Sequence, residues 1–70
     1  MGITQPQYNP DPLLTAREVA AMLSISLPNV WRRVASGDLP HPIKLGASSR
    51  WSQSEILTVI EANKAARETA

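Results

Sequence analysis

Leu23-Ser24-Ile25-Ser26-Leu27-Pro28-Asn29-Val30-Trp31-Arg32-Arg33-Val34-Ala35-Ser36-Gly37 contains the end of one helix, a short break and the whole of another. Ser24-Ile25-Ser26 interrupts an apolar period. Ser26 is a good N-cap, because its hydroxyl can accept one of the backbone N–H groups left unpaired at a helix start. Pro28 follows within the first turn, where a missing N–H costs no hydrogen bond. Leu27, Val30, Trp31 and Val34 then recur at i, i+3, i+4 and i+7, one stripe of a 3.6-residue period, while Pro28, Asn29, Arg32, Arg33 and Ser36 face elsewhere. Gly37 suits the left-handed residue that ends a helix. Upstream, Thr15-Ala16-Arg17-Glu18 has the form of a capping box, and Ala16, Val19, Ala20 and Leu23 make the matching stripe of a preceding helix. Two helices joined by about three residues have the length signature of a helix-turn-helix.

Downstream of Gly37-Asp38 the period falls to two. Ile43 and Leu45 alternate with Lys44, and Pro40 and Pro42 forbid a helix. Gly46-Ala47-Ser48-Ser49 is turn chemistry, and Arg50-Trp51 can return antiparallel, which puts Trp51 inward with Ile43 and Leu45. Such a hairpin is a wing. Ser52-Gln53-Ser54-Glu55 reads as a second capping box, opening a third helix with Ile56, Val59 and Ile60 on its buried face. The expected fold is mainly α with a small β-hairpin: a winged helix-turn-helix comprising a helix-turn-helix, a two-stranded wing and a C-terminal helix. Residues 1–12, with Pro6, Pro10 and Pro12, are expected to form a flexible arm, residues 13–63 the folded domain, and residues 64–70 a fraying tail. Trp31 and Trp51 both lie on apolar stripes and are expected in the core.

Seventy residues without cysteine allow one small domain, with neither a disulfide framework nor a Cys-rich zinc site. No apolar run approaches the roughly 20 residues of a membrane span, and Met1-Gly2-Ile3-Thr4-Gln5-Pro6 lacks the order of a signal peptide, so a soluble cytoplasmic protein is expected. The formal net charge of +1 conceals a polarity. Between Val30 and Trp51, Arg32, Arg33, Lys44 and Arg50 face only Asp38, a net of +3. The flanks carry Arg17, Lys64 and Arg67 against Asp11, Glu18, Glu55, Glu61 and Glu68, a net of −2. A basic middle between acidic flanks suits a surface that meets phosphate on one side. Enzymatic chemistry finds no support: the lone Tyr8 is in the arm, the lone His41 stands between two prolines and can complete neither a metal site nor a catalytic pair, and no Gly-rich phosphate loop exists. Neither cofactor nor metal is expected.

Arg32 and Arg33, on the solvent face of the second helix, can pair with guanine O6 and N7 or grip a phosphate. Asn29 can read adenine, and Ser26 and Pro28 lie near enough to touch backbone or a thymine methyl, although Ser26 serves equally as a plain N-cap. Lys44 and Arg50, on outward strand positions of the wing, suit phosphate contact. Ser48 and Ser49 can donate to phosphate or simply form the turn.

Leu14-Thr15, Glu18-Val19-Ala20, Leu23-Ser24-Ile25-Ser26, Val30-Trp31-Arg32, Leu39-Pro40-x-Pro42-Ile43-Lys44-Leu45-Gly46 and Arg50-Trp51-x-x-Ser54-Glu55-Ile56 together resemble the AlpA-type regulators and excisionases with a MerR-like winged helix-turn-helix. The resemblance covers about residues 13 to 60. It implies that the second helix enters the major groove of double-stranded DNA while the wing touches the backbone or minor groove alongside. It also implies one of two roles: a recombination directionality factor that bends attachment-site DNA for a partner integrase, with cooperative self-association on DNA, or a regulator at an operator. Both place the chain with DNA in the bacterial nucleoid. The sequence departs from the family pattern at Ala47-Ser48-Ser49, which lacks the basic residues often seen in the wing turn, and at Leu27-Pro28, which replaces more polar residues. A third reading, from another class, is a protein-interaction module whose basic face meets an acidic partner.

Overall fold

The computed structural model describes residues 11–69, with side chains through Arg67; the arm's residues 1–10, Tyr8 among them, lie outside the described residues. The first helix, α1 (Ala16–Leu23), starts at Thr15 by the expected reciprocal exchange. The Glu18 N–H donates to the Thr15 hydroxyl at 3.1 Å and the Thr15 N–H donates to the Glu18 carboxylate at 2.8 Å. α1 ends where Ser24 turns left-handed at φ +57°, which lets the N–H groups of Ser24 and Ile25 fold back onto the carbonyls of Ala21 and Ala20. No glycine marks this bend. Ser26 then accepts the Asn29 N–H at 3.3 Å and opens α2 (Leu27–Ser36), which stops at Gly37, φ +89°. At that φ a side chain would be strained, so the glycine here sets the helix length.

Ile43–Leu45 form strand β2 and Ser48–Ser52 form β3, joined by the two-residue loop Gly46-Ala47. Gly46, at φ +64°, holds the first loop position, as hairpins of this length prefer. The expected turn was two residues longer: Ser48 and Ser49 are strand residues, and Leu45 pairs with Ser48. A third strand, β1 (Leu13–Leu14), pairs antiparallel with β3, so the wing is the outer part of a three-stranded sheet of order β1-β3-β2 and not a free two-stranded hairpin. β1 is held at its approach by Asp11 and Pro12. The Gln53 N–H donates to the Pro12 carbonyl at 2.9 Å, and the Asp11 carboxylate accepts both the N–H and the hydroxyl of Ser54, at 2.8 and 2.9 Å. The assignment of Asp11 and Pro12 to a flexible arm is therefore corrected: they cap the third helix, α3 (Gln53–Thr69), from a strand away. Ser52 accepts the Glu55 N–H at 3.4 Å, one half of the expected capping box. Because Asp11 places a negative charge on unpaired donors at a helix start, Asp11→Ala should cost about 0.5–2 kcal/mol, read as a lowered thermal midpoint. An unchanged midpoint would return Asp11 to the arm.

The core gathers one side of the three helices, β1 and β3, while β2 contributes no buried residue. Val19, Val30, Trp51 and Ile56 are completely buried, with Leu14, Ala20, Val34 and Leu39 around them. The Trp51 indole N–H, which would otherwise be stranded in apolar surroundings, donates to the Pro40 carbonyl at 2.8 Å. Ala16, Leu23, Val59 and Ile60 pack against this cluster from α1 and α3. α3 remains helical through residues 64–69, assigned above to a fraying tail, although residues 61–67 are all exposed. Among the described residues no helix is long and apolar enough to cross a membrane.

Three core expectations are corrected. Trp31 is 41% exposed, Ile43 42% and Leu45 52%. For the strand pair the reason is parity. Directly opposed residues share a face, so Ile43 sides with Arg50 and Leu45 with Ser48, whereas Lys44 sides with Ser49 and, two residues along, with Trp51. Any even-numbered turn between Leu45 and Arg50, the observed one of two residues or the longer one inferred from Gly46 to Ser49, puts Trp51 on the face opposite Ile43 and Leu45. For Trp31 the reason is its place at the margin of the α2 stripe, where Val30 and Val34 already fill the contact with α1.

Candidate nucleic-acid interface

On α2, successive residues are rotated by about 100°, which puts Arg32 opposite the midpoint of the buried Val30 and Val34. Arg32 therefore stands at the crest of the exposed face. Asn29 and Ser36 lie one turn away on either side of it, within about 60° of helical rotation. The Arg32 guanidinium donates to the Asn29 side-chain carbonyl at 3.5 Å, a long and therefore weak bond. α2 is about 15 Å long and presents no acidic side chain of its own, so its crest combines a cation, an amide and a hydroxyl. Ser26 and Pro28, at the helix start, are exposed beside this face, with the Ser26 oxygen occupied as N-cap.

The two arginines are offset by about 100° around the helix axis, Arg33 on the side of Asn29 and Ser36. Arg33, rotated away from Arg32, lies 3.6 Å from the Asp38 carboxylate, which also accepts the Ser36 hydroxyl at 3.2 Å. Both partners are about half exposed, so the pair adds little stability, but it draws Arg33 to the flank of α2. There Arg33 borders an open groove of about 470 Å³ between α2 and α3, floored by Leu23, Ile25, Leu39, Val59 and Ile60. Trp31 takes the opposite flank, toward the sheet, with its ring 5.4 Å from that of Trp51 at an interplanar angle of 57°. Such tilted contact is a favourable arrangement for two aromatic rings.

The wing cations are separated too. Lys44 and Ser49 are cross-strand partners on the face that carries Trp51, the face turned toward the helices, and the Lys44 ammonium donates to the Ser49 hydroxyl at 3.1 Å. Arg50 and Ser48 occupy the other face with Ile43 and Leu45. The Arg50 guanidinium donates to the Ser49 carbonyl at 2.9 Å and is only half exposed. Thus the nine candidate positions divide: Lys44 and Ser49 lie on the Trp51 face of the wing, Ser48 and Arg50 on the other, and Ser26, Pro28, Asn29, Arg32 and Arg33 are distributed around α2 and its N-cap.

A recognition-sized helix on a three-residue turn, flanked by a β-wing, sets the architecture. The sequence profile of the family described as helix-turn-helix domain matches residues 13–64. The chain belongs to that helix-turn-helix domain family. The match runs from the first residue of β1 to the middle of α3, so the strands and the third helix are integral to the helix-turn-helix domain and not additions to it. No curated protein and no solved structure gives a significant match to the chain. Among the described residues, three helices and a small antiparallel three-stranded sheet make this helix-turn-helix domain a winged one, an architecture that supports DNA binding.

Proposed function

We propose that the domain binds double-stranded DNA by sequence, with the Asn29–Arg32–Ser36 crest of α2 in the major groove and the Lys44–Ser49 side of the wing on the adjoining backbone. The observation that carries this reading is the position of Arg32, diametrically opposite the buried Val30 and Val34, on an exposed face of α2 to which the helix itself contributes no acidic side chain. In this reading Arg32 and Asn29 contact base edges, Lys44 and Ser49 contact phosphate, Ser26 and Pro28 approach the backbone at the helix start, and Arg33, Ser48 and Arg50 reach only flanking phosphates.

The biological role we propose is that of an excisionase-type architectural factor. Copies bind adjacent sites cooperatively, bend attachment-site DNA and assist a partner integrase. The resemblance of the Leu39–Gly46 and Arg50–Ile56 stretches to that family supports it. So does the distribution of exposed apolar side chains: Leu13, Ile43 and Leu45 share the outer face of the sheet, beside the DNA-facing side. A neighbouring copy would meet that face with a different part of its own surface, and such heterologous contacts generate direct repeats.

Selection of bound duplexes from a randomised pool tests both parts. Enriched direct repeats support the architectural role, and an inverted repeat points instead to a two-fold symmetric operator-binding regulator. Failure to enrich any site, with affinity no better than about 10⁻⁴–10⁻⁶ M at physiological salt, would leave the protein-interaction reading. On an enriched site, Lys44→Ala is expected to weaken all sequences alike and to lower the slope of log K against log salt by about one. Isotherms at a series of salt concentrations measure this, and a selective loss on the preferred sequence would count against a phosphate role for Lys44.

A further inference from the structure

We infer that Trp31 is itself a DNA contact, made to the sugar-phosphate backbone that crosses between α2 and the wing; this rests on the DNA-binding reading above. Trp31 is 41% exposed, while Trp51, against which it lies, is completely buried. The two indole N–H groups differ in the same sense: that of Trp51 is committed to the Pro40 carbonyl, and among the described residues that of Trp31 has no protein acceptor. The ring contact holds the Trp31 indole on the sheet side of α2. Strand register puts Ser49 and Lys44 next along the same face from Trp51 toward the hairpin tip. A strip therefore runs from Arg32 through Trp31 to Ser49 and Lys44, with an aromatic ring between the crest of α2 and the wing.

A duplex seated on both α2 and the wing must pass one backbone strand over this strip. An indole offers what a deoxyribose phosphate can use: a flat apolar face for the sugar and a single N–H donor for an anionic oxygen. Backbone contacts fix register and orientation without carrying sequence information. Trp31 is on this argument an anchor that sets how deeply α2 enters the groove.

The two tryptophans make the test direct. Acrylamide quenching of the full-length protein should resolve one accessible and one protected emitter, and Trp31→Phe should remove the accessible one. Phenylalanine keeps an aromatic ring against Trp51 and loses only the N–H donor and part of the ring face. Titration with a mixed-sequence duplex of two helical turns at low salt, and with the duplex enriched by selection, should then protect the Trp31 emission from acrylamide. Trp31→Phe should weaken binding to both duplexes by about 3- to 10-fold, leaving the preference between them and the thermal midpoint nearly unchanged. Binding seen by anisotropy with Trp31 still fully quenchable would overturn the inference while leaving the DNA-binding reading intact. A Trp31→Phe defect confined to the enriched duplex would also overturn it, since a backbone anchor acts on both. Absence of binding to either duplex would overturn the reading and the inference together.

Discussion

Trp51→Ala is expected to leave the domain largely unfolded at physiological temperature. Trp51 is completely buried, pairs through β3 with Leu14 of β1, touches Trp31 of α2 and donates its indole N–H to the Pro40 carbonyl ahead of β2. Truncation opens a cavity between the helices and the sheet. It also strips the Pro40 carbonyl of its donor. Removal of a buried tryptophan costs about 3–5 kcal/mol. A chain of this size, at roughly 0.05–0.15 kcal/mol per residue, has little more than that to lose. At about 4–8 °C per kcal/mol the thermal midpoint should fall by tens of degrees, with loss of a cooperative transition in circular dichroism as the extreme outcome. A soluble variant that melts cooperatively within a few degrees of the parent would mean that Trp51 is not the keystone of the core.

Arg32→Ala has the largest expected effect on binding. The Arg32 side chain is exposed and, among the described residues, its only hydrogen bond is the 3.5 Å contact to Asn29, so stability should change by less than about 0.5 kcal/mol. Affinity for the preferred site should fall by about 1–3 kcal/mol, roughly 5- to 150-fold, and preference should relax at one base-pair position while the others keep theirs. That pattern separates a base reader from a phosphate clamp. Measured against a panel of single-base variants of the enriched site, an equal loss on every sequence would show Arg32 to be a backbone contact and move the reading role to Asn29.

Much of this was legible locally. Thr15 with Glu18, Ser26 ahead of Pro28, Gly37 and Gly46 each satisfy a backbone requirement within a few residues of themselves, and each does so in the structure. What escaped is non-local or depends on counting parity. β1 is two residues long, too short to show a period, and exists only because β3 offers it a partner nearly forty positions away. The Asp11–Ser54 bonds span 43 residues and leave no local trace. The Ala-rich sequence after Asn63 carries little apolar surface yet has high intrinsic helix propensity, and propensity prevails there, keeping α3 helical to Thr69.

The candidate site shows the same division. The basic middle and the exposed arginines were visible in charge placement and helical period. Their separation was not: Asp38 draws Arg33 to one flank, and strand register sets Lys44 and Arg50 on opposite faces. Trp31 was hidden by its own hydrophobicity, since a stripe position at i+4 is compatible with core or margin, and only the packing of Val30 and Val34 decides which. The signal that could have found it is the shortness of α2, whose narrow contact with α1 is filled by two valines.

The most direct measurement is a backbone amide chemical-shift titration of the protein with the duplex enriched by selection. If α2 reads the groove and the helix-facing side of the wing holds the backbone, the largest shifts will fall on Asn29, Arg32 and Ser36, with a second cluster at Lys44 and Ser49 and the Trp31 indole N–H. Shifts concentrated instead on Leu13, Ile43 and Leu45, or along the exposed face of α3, with α2 unperturbed, would place the interface elsewhere and contradict this assignment.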